Sequence, residues 1–281
     1  MPLNPKISTY SLDNALACAK ASQLAYDLPT PITAAQVSAA FGLNVTDLVA
    51  FDGAGTDARG FLALMDGAIA IVFRGTDSIQ NWLDDGEILL VPFRDKGLIH
   101  SGFKRSLDSV WTLIAATLDR WKGGGRTLWI TGHSLGGGLA LLATAYLRFP
   151  LDPAATVPKP VAGLYTFGQP RAGNSAFCNP CDADFGDLYF RFVNDEDIVP
   201  RVPPRLLGYS HTGNLEYIDA NCVIQNDVAW WHGFLDAVEV GIQGLQALRA
   251  GRPEIAAIKD HSMALYLAAI QAAWNKGPGP A

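Results

Sequence analysis

The chain carries little charge, and the charge that it carries is not basic. Of its 281 residues 17% are charged, and the formal net charge is −6 at pH 7. A nucleic-acid surface needs clustered Lys and Arg, so this balance argues against a nucleic-acid partner. No apolar run reaches the roughly 18 residues of a membrane-spanning helix, and residues 1–8 lack the apolar core of a signal peptide. We expect no transmembrane segment, and a protein that is cytoplasmic by default or secreted if this is a mature form.

Cysteine is also scarce, with four residues at positions 18, 178, 181 and 222. Cys178 and Cys181 have the spacing of a metal-ligand or redox pair, but no second such pair completes a zinc site. A structural role or a local disulfide is therefore favoured over a metal. Cys18 lies in an Ala-rich helical stretch and is predicted to be a small core residue.

Hydrophobic residues make up 49% of the chain, which is enough for a sizeable core. We expect a single domain over residues 1–281. Strand and helix patterns alternate, which predicts an α/β fold with a mostly parallel central sheet flanked by helices. Strands are predicted at residues 68–73, 127–131, 162–167 and 188–193. Helices are predicted from Ser11 to about Tyr26, from Thr33 to Gly42, and over residues 103–121, 137–148 and 262–274.

The most informative motif is the pentapeptide at residues 132–136, Gly-His-Ser-Leu-Gly. It lies between the predicted strand 127–131 and the predicted helix 137–148. A serine on a tight turn between strand and helix is typical of the nucleophile elbow of α/β-hydrolases. The glycines suit a strained turn, and the start of the helix directs backbone N–H groups toward the place where an oxyanion would form. The motif therefore predicts a serine hydrolase with Ser134 as nucleophile.

A serine nucleophile needs a base, and the base needs a third group to hold it. In α/β-hydrolases the chain order is serine, acid, histidine. Three histidines follow the elbow: His211, His232 and His261. Three acids follow the predicted strand 188–193: Asp195, Glu196 and Asp197. Residue order alone leaves the choice within each set open.

A series of further motifs resembles the class 3 lipase family, the fungal-lipase-like branch of the α/β-hydrolases. The resemblance covers residues 68–204 and the surroundings of residues 260–261. It rests on motifs that occur in the family order: Phe73-Arg-Gly-Thr76-Asp-Ser78, Asn81-Trp82, His100-Ser-Gly-Phe103, Gly132-His-Ser-Leu-Gly136, Tyr165-Thr-Phe-Gly-Gln-Pro-Arg171 and Asn194-Asp-Glu-Asp-Ile-Val-Pro-Arg201.

The resemblance implies a role for five residues. Ser134 matches the nucleophile, Asp197 the triad acid and His261 the general base. Thr76 matches the residue whose backbone N–H meets the oxyanion, and Leu135 would supply the second N–H. The implied chemistry is hydrolysis of a carboxylic ester through an acyl-enzyme, which requires no metal and no organic cofactor.

The other histidines have structural alternatives. His100 is expected to brace loops, and the side chain of His133 to point into packing. His211 lies near the expected active face and is the weaker candidate base, whereas His232 is expected to join an aromatic cluster. Arg74 and Arg201 are expected to anchor loops through hydrogen bonds to carboxylates or carbonyls.

Two segments could cover the site. In the family, the segment after the oxyanion residue often forms a lid, which here is residues 78–92 with the apolar Trp82 and Leu83. The alternative is a fixed loop that leads into an edge strand. The second segment is a helical insertion or cap at residues 225–252. Its Trp230 and Trp231 would line an acyl or aryl pocket or, alternatively, pack a helix onto the core.

The resemblance implies a triacylglycerol lipase that takes a lipid or other ester substrate, including at a lipid–water interface. No protein partner is implied. The alternatives are a short-chain or aryl (feruloyl-type) esterase and, from a different class, a non-catalytic α/β-hydrolase that serves as a binding module.

Overall fold

The computed structural model describes residues 2–76, 88–150, 161–195, 197–226 and 260–277. Within these ranges the helices are α1 (Leu12–Leu24), α2 (Ala34–Phe41), α3 (Ser101–Arg120), α4 (Leu135–Arg148), α5 (Ser175–Phe185) and α6 (Met263–Lys276). The strands are β1 (Val45–Asp52), β2 (Arg59–Met65), β3 (Ala68–Phe73), β4 (Leu90–Pro92), β5 (Leu98–His100), β6 (Thr127–His133), β7 (Val161–Phe167), β8 (Gly173–Asn174), β9 (Tyr189–Asn194), β10 (Tyr209–Ser210), β11 (Asn214–Ile218) and β12 (Ile224–Gln225).

The main sheet has eight strands in the order β1-β2-β3-β6-β7-β9-β11-β12. The five strands from β3 to β11 run parallel, and β1, β2 and β12 are antiparallel to their neighbours. The register places Phe73 opposite Gly132, and Phe167 opposite both His133 and Phe192. The carboxyl ends of β3, β6, β7 and β9 therefore meet at one edge of the sheet, where α/β proteins place their sites.

Both faces of the central strands β3, β6, β7 and β9 are buried, which explains why these strands read as continuous apolar runs. Side chains of β3 alternate between the two faces. Ile69 and Ile71 pack in a core with α3 and α4, whereas Ala70 and Val72 pack in a second core with α1 and α6. The predicted mostly parallel sheet flanked by helices is thus confirmed.

Helix ends follow the predicted capping residues. The Ser11 hydroxyl accepts a hydrogen bond from the Asn14 N–H at the start of α1. Thr33 and Gln36 form a reciprocal capping box on α2, and Gly42 ends that helix at φ 67°. These interactions satisfy backbone groups that a helix terminus leaves without an intrahelical partner.

A second, smaller sheet lies beside the first, in the order β10-β8-β5-β4. Its strand β4 lies at an edge of this sheet and forms the end of the segment 78–92. Residues 77–87, with Trp82 and Leu83, lie outside the described residues. So do residues 227–259, which include most of the predicted insertion together with Trp230, Trp231 and His232.

The cysteines are free. Cys18 is fully buried in the core beside α1, as predicted. Cys178 and Cys181 are both buried on α5 without a bond between them, so the local-disulfide alternative is wrong. In the described ranges no three His, Cys, Asp or Glu side chains cluster as a metal site would require. None of the helices in these ranges combines the length and apolar character that crossing a bilayer requires.

Candidate active site

The predicted strand–turn–helix around Ser134 is present. Ser134 joins β6 to α4 with φ 57° and ψ −130°, a conformation that costs a non-glycine residue free energy and that clusters at functional sites. A Cβ on Gly132 would lie 2.3 Å from the Gly136 carbonyl oxygen, and a Cβ on Gly136 would lie 2.5 Å from the Phe73 carbonyl oxygen. Both positions flanking the serine therefore need glycine because backbone passes too close for a side chain.

The elbow presents the serine hydroxyl at the beginning of a helix. Ser134 is 1% exposed, and its Oγ makes no hydrogen bond within the described part of the chain. Leu135 is the first residue of α4, and the first N–H groups of a helix have no intrahelical partner. The Leu135 N–H is therefore available near the serine, where the helix dipole also favours negative charge.

Thr76 lies three residues beyond the end of β3, the strand that neighbours β6. The backbone there passes close to the nucleophile candidate, because a Cβ on Gly75 would lie 3.1 Å from Ser134 Cβ. Gly75, the residue before Thr76, thus lies beside Ser134 on the side of the elbow that β3 supplies.

Asp197 and His261 form a buried pair at the same edge. Asp197 follows β9 and is 0% exposed, and His261 precedes α6 and is 4% exposed. Their Nδ1 and Oδ2 atoms are 2.8 Å apart. A carboxylate only accepts, so Nδ1 carries the proton and Nε2 of the neutral ring is left as the basic nitrogen. Nε2 makes no hydrogen bond within the described residues.

The Asp197 carboxylate has two further donors. The Val199 N–H donates to Oδ1 at 2.9 Å, and the Tyr266 hydroxyl donates to Oδ2 at 2.6 Å. Burial, and then the negative charge of Asp197, raises the pKa of Tyr266 well above its ordinary value, so the hydroxyl keeps its proton. Sequence reasoning missed Tyr266, because a tyrosine five residues after His261 carries no motif of its own, whereas Val199 lies within the matched motif at residues 194–201.

The neighbouring acids are not part of this pair. The Asp195 carboxylate accepts from the Tyr217 hydroxyl at 3.1 Å on β11, and Glu196 lies outside the described residues. Of the two described acids that follow β9, Asp195 and Asp197, Asp197 is the one that the structure brings to His261.

Two other histidines, His100 and His211, have structural roles and contact backbone groups. His100 caps α3, since its Nδ1 accepts from the N–H groups of Gly102 and Phe103. His211 contacts the Pro200 carbonyl oxygen through Nε2 at 2.6 Å. Burial, with the charges of nearby arginines, lowers the pKa of His211 well below its ordinary value, so the ring is neutral.

The expected packing role of His133 is confirmed, and hydrogen bonds accompany it. The ring is 3% exposed and lies between the Tyr26 hydroxyl, 2.6 Å from Nδ1, and the His261 carbonyl oxygen, 2.7 Å from Nε2. The expectation for Arg74 also holds, because its guanidinium donates to the Leu28 carbonyl oxygen at 2.6 Å.

The lack of a side chain at Gly168 makes space for the Asp197–His261 pair. It follows β7 with φ 57°, and a Cβ there would lie 2.8 Å from His261 Cε1 and 3.0 Å from Asp197 Oδ2. The sequence contained this glycine within a matched family motif, but only the structure reveals what it faces.

A cavity of about 560 Å³ opens beside Leu135. It lies between the turn that joins β1 to β2 and the start of α3. Its walls carry charges of both signs, from Asp52, Asp57, Arg59 and Arg105.

Parallel strands covered by helices on both faces, with a strained serine between the central strand β6 and the next helix, define the α/β-hydrolase fold. A family model for the class 3 lipases matches residues 70–207. The chain belongs to the class 3 lipase family.

Named relatives and solved structures agree with this assignment. The chain is 38% identical over 157 residues to a lipase of Rhizomucor miehei, a stretch that covers 54% of this chain and 42% of that protein. It is 35% identical over 159 residues to the secreted mono- and diacylglycerol lipase 1 of Fusarium solani, covering 54% and 44%. The matched stretch is thus less than half the length of either relative.

A solved triacylglycerol lipase, whose catalytic centre is formed by a serine protease triad, superposes with a TM-score of 0.60 at 30% identity. The superposition covers 75% of this chain and 80% of that one.

Proposed function

We propose that this protein is a carboxylic ester hydrolase, and specifically a triacylglycerol lipase, in which Ser134 is the nucleophile, His261 the general base and Asp197 the triad acid. The observation that carries the proposal is the buried 2.8 Å contact between Asp197 and His261 at the strand edge where the elbow presents Ser134. The names of the relatives add the substrate class, since they are lipases of tri-, di- and monoacylglycerols.

In the first half-reaction, His261 Nε2 takes the Ser134 proton while Oγ bonds to the ester carbonyl carbon. Asp197 keeps the proton of His261 on Nδ1 and stabilises the imidazolium that forms. The carbon–oxygen bond to the alcohol then breaks, and His261 returns the proton to the leaving alcohol. The product that stays behind is an acyl ester of Ser134.

The second half-reaction uses the same groups. Water loses a proton to His261 and attacks the acyl carbon. The bond to Ser134 Oγ then breaks, His261 returns the proton to that oxygen, and the carboxylic acid leaves. In both halves negative charge develops on the carbonyl oxygen. The N–H groups of Leu135 and Thr76 are proposed to stabilise that charge, because preorganised donors are worth most in a water-excluded site.

An exposed apolar surface supports action at a lipid–water interface. We define the apolar rim as Ile88, Leu89, Leu206 and Leu207, which are 42%, 63%, 70% and 40% exposed. The two segments that carry it touch, since the Tyr209 hydroxyl donates to the Ile88 carbonyl oxygen at 3.1 Å. Clustered exposed apolar side chains mark surfaces that meet protein, ligand or lipid.

The cavity that Leu135 lines suits a second candidate, an esterase for short or aryl esters, although Ser134, Asp197 and His261 do not line that cavity. Charged walls suit a soluble, polar ester better than a long acyl chain, because an apolar chain gains nothing against charged groups that it would desolvate. Chain-length preference therefore separates the two candidates.

The deciding experiment is hydrolysis of p-nitrophenyl esters from acetate to palmitate, with a triglyceride emulsion in parallel. We expect activity on long chains and on the emulsion, and its loss in Ser134→Ala with the melting temperature unchanged. A maximum at short chains without emulsion activity would select the esterase. Full activity of Ser134→Ala would overturn the hydrolase mechanism.

The apolar rim is tested by Leu89→Ser and Leu206→Ser. Because apolar burial stabilises adsorption by roughly 25 cal/mol per Å², we expect each substitution to lower the rate on the emulsion several-fold and to leave the rate on p-nitrophenyl acetate unchanged. Leu113→Ser is the matched control, since this leucine is 42% exposed on the middle of α3. An equal loss of the emulsion rate in Leu113→Ser would show that the apolar rim has no specific role at the interface.

A further inference from the structure

A chain of hydrogen bonds reaches the backbone of His261 from the side of β6. The Tyr26 hydroxyl contacts His133 Nδ1 at 2.6 Å, and His133 Nε2 contacts the His261 carbonyl oxygen at 2.7 Å. The chain thus connects the single turn Ala25–Asp27, which follows α1, to the segment that leads into α6. His133 is the residue immediately before Ser134, so the same strand end positions both partners of the proposed proton transfer.

The directions of these hydrogen bonds follow from their partners. A carbonyl oxygen only accepts, so His133 Nε2 must carry a proton. Nδ1 of the neutral ring is then an acceptor, and the Tyr26 hydroxyl donates to it. Burial, and then the electrostatic interaction with the His261 ring, lowers the pKa of His133 well below its ordinary value, which keeps the His133 ring in this neutral form.

The His133 ring also limits the tilt of the His261 ring. The two ring centroids are 4.6 Å apart with 31° between the planes. Asp197 holds His261 at Nδ1 alone, which leaves rotation about that hydrogen bond and movement of the backbone unrestrained. The residue before His261 is held as well, because the Asn194 amide donates to the Asp260 carbonyl oxygen at 3.1 Å.

We propose that His133 and Tyr26 are positioning residues that hold the general base through its backbone carbonyl and its ring face, while Asp197 holds it through Nδ1. This inference rests on the proposed role of His261 as the base. Two independent restraints on one imidazole fix the orientation of its Nε2, and a misplacement of about 1 Å in such a site can cost on the order of 10²-fold in rate.

The test compares three variants. His133→Leu removes both hydrogen bonds and keeps an apolar side chain of similar size. His133→Gln restores a donor, because the Gln amide nitrogen reaches about as far as the imidazole Nε2. Tyr26→Phe removes one hydroxyl only. The substrate is p-nitrophenyl acetate, so that adsorption to lipid does not enter.

We expect His133→Leu to lower kcat by about 10- to 100-fold with little change in KM. His133→Gln should recover most of that loss, and Tyr26→Phe should cause a smaller loss than His133→Leu. Thr131→Val is the matched control, because Thr131 lies two residues earlier on the same strand and contacts α1, with its Oγ1 3.1 Å from Ser22 Oγ. This control should lose stability without losing kcat.

A second readout does not depend on turnover. The Nδ1 proton of His261, bonded to Asp197, gives its own imidazole resonance in proton NMR. We expect that signal to broaden or vanish in His133→Leu and to return in His133→Gln. A wild-type kcat or an unchanged signal in a folded His133→Leu would overturn the inference. A wild-type enzyme without Ser134-dependent hydrolysis would instead overturn the proposed function, while the NMR result would still report on the positioning.

Discussion

Asp197 is the residue whose surroundings constrain the chemistry most. Its carboxylate is fully buried, and both oxygens accept hydrogen bonds from donors on different elements: the Val199 N–H, the Tyr266 hydroxyl and His261. A buried charge is tolerable only when it is paired and hydrogen-bonded. These donors therefore hold the carboxylate in the orientation in which it contacts the His261 imidazole.

Asp197→Asn is expected to lower kcat by about 10⁴-fold while leaving the fold intact, as the corresponding substitution does in a serine protease with the same triad. The amide has no charge to stabilise the imidazolium, and its NH₂ group can select the wrong tautomer of His261. The measurement is kcat on p-nitrophenyl acetate together with the melting temperature. Asp195→Asn is the matched control and should retain near-normal rates; a loss confined to Asp195→Asn would reassign the acid.

At the scale of the element, the turn after β7 requires glycine, as the serine elbow does. Gly168 adopts φ 57° directly against the Asp197–His261 pair. Gly168→Ala would insert a methyl group at 2.8 Å from His261 Cε1, so we expect a large loss of kcat. Gly125→Ala is the control, because Gly125 has φ 61° and open space where the Cβ would go. The two variants share the strain of a left-handed backbone at an alanine, about 1–2 kcal/mol. Equal kcat in the two variants would show that a methyl group at position 168 does not disturb the Asp197–His261 pair.

The elements around the site could be predicted because their signals are local. β3 and β6 are apolar runs, and α3 repeats its apolar residues at helical spacing. The strands β1 and β2 were not predicted, because β1 is half-buried with a mixed pattern and its pairing with β2 depends on tertiary context. The two-residue strands β8 and β10 are shorter than any periodic pattern can reveal.

In the candidate site, too, some residues could be predicted from sequence motifs and others could not. Ser134, Asp197 and His261 stand in motifs whose order along the chain carries the information. Tyr266 and Tyr26 have no such motif, since what brings them to Asp197 and His133 is the packing of α6 and of the turn after α1 against the sheet. Their contribution is a property of the assembled fold, and no window of sequence contains it.

At the scale of the whole molecule, one buried acid, Glu216, lowers the free energy of unfolding. Glu216 lies on β11, faces the aromatic core that contains Tyr10 and Tyr165, and is 2% exposed. Its Oε2 makes no hydrogen bond within the described residues. Burial raises the pKa of Glu216 from 4.5 to about 8. The folded protein therefore holds a proton here that the unfolded chain releases at much lower pH.

The sign of the linkage follows from this proton. Between pH 4.5 and about 8 the unfolded state binds fewer protons than the native state, so the free energy of unfolding falls as the pH rises. Below that window both states are protonated and the full stability is present. Above it both are ionised and the loss is complete, on the order of several kcal/mol.

Glu216→Gln keeps the shape and removes the titration, so it should flatten the fall in unfolding free energy between pH 5 and pH 8 and leave the variant more stable than wild type at pH 8. Urea unfolding at these pH values, followed by circular dichroism, measures the difference. Asp66→Asn removes an exposed acid and should leave the wild-type pH dependence unchanged. Parallel curves for wild type and Glu216→Gln would mean that Glu216 is ionised in the folded protein, with the core around Tyr10 and Tyr165 rearranged to hydrate it.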